Sequence, residues 1–101
     1  MAARPRRIQR KRTRGWRMPV DAVYVGRPSQ WGNPFKAEQF TRSVMEASDP
    51  RARRRAVEAY RREIMNHGGY VRKHLRGKDL ACWCPLDQPC HADVLLEIAN
   101  A

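Results

Sequence analysis

Two short β-prone runs, each followed by a loop and then a helical pattern, constrain this chain more than any other feature. Ala22-Val23-Tyr24-Val25 is apolar and stops at Gly26, and Asp79-Leu80-Ala81-Cys82-Trp83-Cys84 reads as a second strand. The repeated order strand, loop, helix predicts an α/β fold. We expect a small single-layer, partly parallel sheet packed with two main helices, Rossmann-like in its strand–loop–helix order. With 101 residues, only one core can be built. In such sheets ligands sit at the carboxyl ends of strands. Both loops that follow a strand are chemically unusual here, so they are expected to share one pocket.

The helices are marked by their ends. Asp49-Pro50 supplies an N-cap and a first-turn proline, and Gly68-Gly69 is the expected stop. Within that helix Ala56, Val57, Tyr60 and Ile64 share one arc and form the predicted core face. Arg51, Arg54, Arg55, Arg61 and Arg62 lie opposite, around Glu58, which stands four residues from both Arg54 and Arg62. A further short helix is expected over residues 36–46, another turn over 70–76 ending at Gly77, and a largely buried helix from His91 to Asn100. His67 and His74 read as surface or packing residues, although one of them could complete a metal site in place of His91.

Charge divides the chain. Lys plus Arg number 21 against 10 Asp plus Glu, a net charge of +11. Residues 1–19 carry eight basic residues and no acid, so residues 20–101 are close to balanced. We read residues 1–19 as a basic arm with a short strand within residues 6–12, and residues 20–101 as a single small domain. Clustered cations release counterions from polyanions, and Trp16 beside them could stack on an unpaired base. Arg6, Arg7, Arg10, Lys11, Arg12 and Arg14 are the candidate nucleic-acid contacts. A solvated tail would show the same composition. No window approaches an 18-residue apolar span, and the first residues lack the apolar segment of a secretory signal. Three cysteines cannot pair off completely, so a reducing, cytoplasmic setting is the expectation.

Chemistry concentrates in two places. In Cys82-Trp83-Cys84-Pro85-Leu86-Asp87-Gln88-Pro89-Cys90-His91, residues 82 and 84 share one strand face, and Cys90-His91 opens a helix. Cys82, Cys84, Cys90 and His91 are a candidate zinc set, although the spacing is not that of a standard knuckle. Three buried cysteines acting as small hydrophobes are the competing account. Alternatively, Cys90 at a helix N-terminus could serve as a thiolate nucleophile, with Asp93 nearby as a second catalytic candidate. Asp93 also simply suits the first turn of a helix.

The loop Gly26-Arg27-Pro28-Ser29-Gln30-Trp31-Gly32-Asn33-Pro34-Phe35 has two glycines, two prolines and two large aromatics. It lacks the Gly-Lys-Ser/Thr ending of a phosphate-cradling loop. Arg27 could fork onto a phosphate, Trp31 could stack on a ring, and Ser29 and Asn33 could bond a polar edge. Trp31 and Phe35 folding back as a lid on the core is the other outcome.

Gly26-Arg27-Pro28-Ser29 with Trp31-Gly32-Asn33-Pro34-Phe35, then Leu75-Arg76-Gly77-Lys78 with Leu80-Ala81-Cys82-Trp83-Cys84, then Cys90-His91-Ala92-Asp93 with Leu95, together resemble a small family of bacterial and phage proteins. That family is known as domain of unknown function forty-three twenty-six, and it often has Gly where this chain has Ala92. The resemblance spans roughly residues 5–99 and implies a cytoplasmic actinobacterial or phage-type protein, but no particular reaction. Two functional readings follow from the residues. One is an enzyme-like or ligand-binding domain with a cleft for a nucleotide or phosphorylated ligand, formed by the 26–35 loop and the Cys82–His91 turn. The other is a zinc-stabilised, basic nucleic-acid-binding module. A dimer is compatible with either, because a small sheet leaves open edges.

Overall fold

The structure is a computed structural model that describes residues 4–35 and 50–101. Three short strands, β1 (Arg7–Gln9), β2 (Val23–Tyr24) and β3 (Leu80–Cys82), form one sheet in the order β1-β3-β2. Both pairings are parallel. Leu80 stands opposite Arg7 on one side and Val23 on the other, and Ala81 stands opposite Ile8 and Tyr24. The α/β expectation therefore holds, with a sheet parallel throughout. β3 is central because it alone is apolar at every position, and Leu80, Ala81 and Cys82 are all buried. The edge strand β1 comes from within the basic arm, where the short strand was expected.

Three α-helices follow: α1 (Pro50–Ile64), α2 (Gly68–Leu75) and α3 (His91–Ala99). α1 begins at Pro50, as the sequence predicts, and Ala56 and Tyr60 are buried on its core face with Val57 and Ile64 packed against the core. Gly68-Gly69 does not end the helical region. Met65–His67 tightens into a single 3-10 turn, and Gly68 opens α2. The left-handed residue is Gly77, φ +77°, just past α2, and its N–H donates to Asn100 Oδ1 at the end of α3. The helix expected over 36–46 and the Asp49 cap lie outside the described residues.

α3 is the hub, packing against α1, α2, β1 and β3. Its apolar residues cover most of its circumference, and Val94, Leu95 and Ala99 are fully buried. With Leu75, Val71, Leu80 and Val25 they form the core, each large side chain contributing about 1.5–3 kcal/mol of hydrophobic stabilisation. Arg61, placed by periodicity on the outer face of α1, instead bridges helices. Its guanidinium donates to Glu97 of α3 at 2.8 Å and lies 3.7 Å from Glu58. No helix among the described residues is long and apolar enough to cross a membrane.

Candidate functional site: a cleft with three cysteines

The two unusual loops meet. Immediately after β2 and β3 a cavity of about 370 Å³ is walled on one side by Gly26, Arg27, Asn33 and Phe35 and on the other by Cys82, Trp83, Cys84 and Cys90. α1 closes a third side with Arg53, Ala56 and Val57. The sheet dictates this meeting. β2 and β3 are parallel neighbours, so both chains emerge from the same sheet edge.

The 26–35 loop is held by its own polar groups. The Arg27–Pro28 peptide is cis, and Arg27 Nε donates to the Asn33 carbonyl at 2.7 Å. Asn33 is buried, donating from Nδ2 to the Ala56 carbonyl while its Oδ1 accepts the Phe35 N–H. Gly26 has a steric reason. A Cβ there would lie 2.5 Å from the Tyr24 hydroxyl and equally against its ring, which folds over the loop to donate to the Arg27 carbonyl. Of the four ligand-binding candidates, Arg27 and Asn33 line the cavity. Trp31 does not: it is 5 % exposed, packs against Tyr70 and His74, and accepts a hydrogen bond at its carbonyl from Tyr60 Oη. It is a core lid, because an indole this large contributes more by burial than by exposure in so small a domain. Ser29 also stays outside the cavity, its Oγ buried without a hydrogen-bond partner among the described residues.

On the opposite wall the sulfurs of Cys82, Cys84 and Cys90 lie within 4.8 Å of one another, with Cys82 and Cys90 at 3.2 Å. All three are free thiols, Cys84 partly exposed and the others buried. β3 ends at Cys82, short of the strand expected over residues 79–84, and a bend at 83–84 brings Cys84 to Cys82, with Cys90 closing the group as the N-cap of α3. His91 is not part of it. Its Nε2 lies 2.7 Å from the Val25 carbonyl, an acceptor only, so that nitrogen carries the hydrogen. Nδ1 is left facing Cys90 Sγ at 3.6 Å, and the ring stands edge-on to Tyr60. His91 thus pins α3 to the end of β2, with Nδ1 at the edge of the sulfur group and closest to Cys90. His74 packs on Tyr70, and neither it nor His67 joins the sulfurs. Within the triad, hydrogen bonds from Cys82 and then Cys84 pull the Cys90 thiol well below its ordinary range, against burial and with help from His91. Cys82 is pushed up by the same bonds to Cys84 and Cys90 and by burial. The Cys82 contact lowers Cys84, but the Cys90 contact and burial outweigh it and leave Cys84 raised.

Arg7 is the largest surprise at the site. Grouped by sequence with the polyanion-facing residues, it points inward, its side chain only 7 % exposed. Its guanidinium donates to the carbonyls of Pro85, Leu86 and Gln88 and lies 3.4 Å from Asp93. One fork of donors thereby holds the whole loop between Cys84 and Cys90. Burial opposes the charge on Arg7, but Asp93 and Cys90 overcome it and leave the guanidinium more firmly protonated. Asp93 does not line the cavity; it partners Arg7. Burial raises the Asp93 carboxyl, and the pull of Arg7 offsets only part of that.

Arg10 is also committed. It lies 4.7 Å from the ring centroids of both Tyr24 and Trp83, and Arg12 covers Trp83 at 5.1 Å. Arg6, Lys11, Arg12 and Arg14 remain exposed. Arg53 and Trp83, neither of them singled out by residue type, are the useful additions to the cleft wall. The helical period of α1 measured from Ala56 and Tyr60 puts Arg53 beside the core face, and Trp83 enters the wall at the bend just past β3.

Curated proteins and solved structures give no match to this chain. The sequence pattern that does match runs from β1 to the last residue and so takes in both walls of the cleft. Over residues 8–101 the chain belongs to the family described as Domain of unknown function (DUF4326).

Proposed function

We propose that this is an enzyme-like or ligand-binding α/β domain whose cleft takes a nucleotide or related phosphorylated ligand at the carboxyl ends of β2 and β3. The observation that carries the reading is the convergence of the 26–35 loop and the cysteine turn on one cavity. Arg27 and Arg53 supply positive charge on two walls, and Trp83 and Phe35 supply planar surfaces for a ring, the role expected of Trp31 from sequence. The cysteine triad, which could hold a metal ion, forms the deep wall. A reducing cytoplasm, where three thiols stay free, belongs to the same proposal.

Isothermal titration with inorganic phosphate and with nucleoside mono- and triphosphates tests it. Arg53 makes no hydrogen bond or ion pair among the described residues, so Arg53→Ala removes charge without disturbing the loop. Saturable binding weakened by about 1–2 kcal/mol in Arg53→Ala supports the cleft. Affinity indifferent to Arg53→Ala and to Arg27→Ala rejects it.

One observation favours a second reading, a basic nucleic-acid-binding module. The stack Tyr24–Arg10–Trp83–Arg12 at the cleft mouth combines cations with aromatic faces, as single-stranded nucleic acids require. Polynucleotide binding with a steep salt dependence would favour this reading over a free nucleotide.

A further inference from the structure

We propose that Cys82, Cys84 and Cys90 hold one zinc ion as thiolates, and that its fourth coordination position opens into the cleft for an exchangeable ligand. The donor set is soft, which selects zinc over magnesium or calcium. Zinc–sulfur bonds of about 2.3 Å place tetrahedral sulfurs roughly 3.8 Å apart. The three sulfurs already lie within 4.8 Å of one another, the tightest pair at 3.2 Å, so small side-chain rotations complete the geometry.

The fourth donor decides the kind of site. A closed structural centre needs four protein ligands, and an open one has three. Among the described residues no histidine or carboxylate joins the three sulfurs. His91 donates from Nε2 to the Val25 carbonyl, and its Nδ1 approaches Cys90 Sγ at 3.6 Å but falls outside the group of three sulfurs. All three cysteines line the cavity, with Cys84 partly exposed, so the remaining position faces solvent and ligand. Three thiolates around a divalent cation leave one net negative charge. Arg7, bonded to the loop between Cys84 and Cys90, and Arg53, which lines the same cavity as the sulfurs, offset it. Donors of this kind around coordinated sulfur tune and orient a metal site.

The proposal rests on the cleft reading only for access to the fourth position, and the probe separates the two. Imidazole is a neutral ligand, so its binding to a metal does not require the arginines that would hold a phosphate. The full-length, untagged chain, purified under reducing conditions, is analysed for zinc and then reconstituted with cobalt(II). The expected result is one metal per chain and thiolate-to-cobalt charge-transfer bands, with visible bands that shift saturably as imidazole is added. Cys84→Ser, at a partly exposed position, should lose stoichiometric metal while keeping its far-ultraviolet circular dichroism. A folded wild-type protein with three titratable thiols and no metal overturns the proposal. So does a cobalt spectrum that imidazole leaves unchanged, which would mark a closed centre.

Discussion

Arg7 shows how much one side chain can carry in a chain this short. Its guanidinium donates to three loop carbonyls and pairs with Asp93, so removing it frees the whole loop at once, although water can reach the exposed Pro85 and Leu86 carbonyls. We expect Arg7→Met to destabilise the fold by about 1–2 kcal/mol in urea denaturation, and Arg7→Lys to recover little, because a single ammonium cannot fork across three carbonyls. Residue type alone could not reveal this. An arginine among other arginines reads as surface charge, and only the parallel register that sets Arg7 opposite Leu80 carries it under the cysteine loop. Trp31 failed to be legible for the complementary reason. Glycine- and proline-rich surroundings announce a loop, but whether its indole faces ligand or core depends on Tyr70 and His74 from α2, a distant element. The cysteine group was legible in its spacing and in the start of α3, but Cys84 joins it through a bend past the end of β3 and not through strand alternation.

At the scale of elements, strand–loop order was enough to bring the two loops to one pocket, because parallel neighbours share an exit edge. Among the described residues two buried hydrogen bonds join loop to helix, one of them from Asn33 Nδ2 to the Ala56 carbonyl. Tyr60 Oη of α1 donates to the Trp31 carbonyl at 2.8 Å in a buried setting. Tyr60→Phe keeps the ring against His91 but leaves that carbonyl unpaired, an expected destabilisation of about 1 kcal/mol by chemical denaturation. Burial also pushes the Tyr60 hydroxyl above its ordinary range, which favours the protonated form that donates this bond. The glycine pair at 68–69 misled because glycine is enriched just past helices as well as tolerated at their starts. Here α1 stops through a 3-10 turn, and the chain redirects into α2 without a left-handed residue.

Across the whole molecule, a net charge of +11 gathers toward residues that are partly structural. Cutting away the basic stretch would remove β1 along with the charge. Neutralising Lys11, Arg12, Arg14 and Arg17 to Gln, outside β1, is the cleaner change. We expect those four substitutions to leave the melting transition nearly in place. The slope of log affinity for single-stranded polynucleotide against log salt should become shallower by about 0.7 for every phosphate that is no longer neutralised. An unchanged slope would mean that these cations meet solvent and not nucleic acid. The sheet has a temporal consequence as well. β1 and β2 are synthesised early, yet neither pairs with the other, and each waits for β3, whose Leu80 aligns both Arg7 and Val23. During translation the first two strands therefore have no partner, and the arrival of β3 closes the sheet and delivers Cys82 and Cys84 in one event. Folding dominated by such distant pairings is slow for the chain's length. Site assembly belongs to the moment after β3 and the start of α3 have left the ribosome.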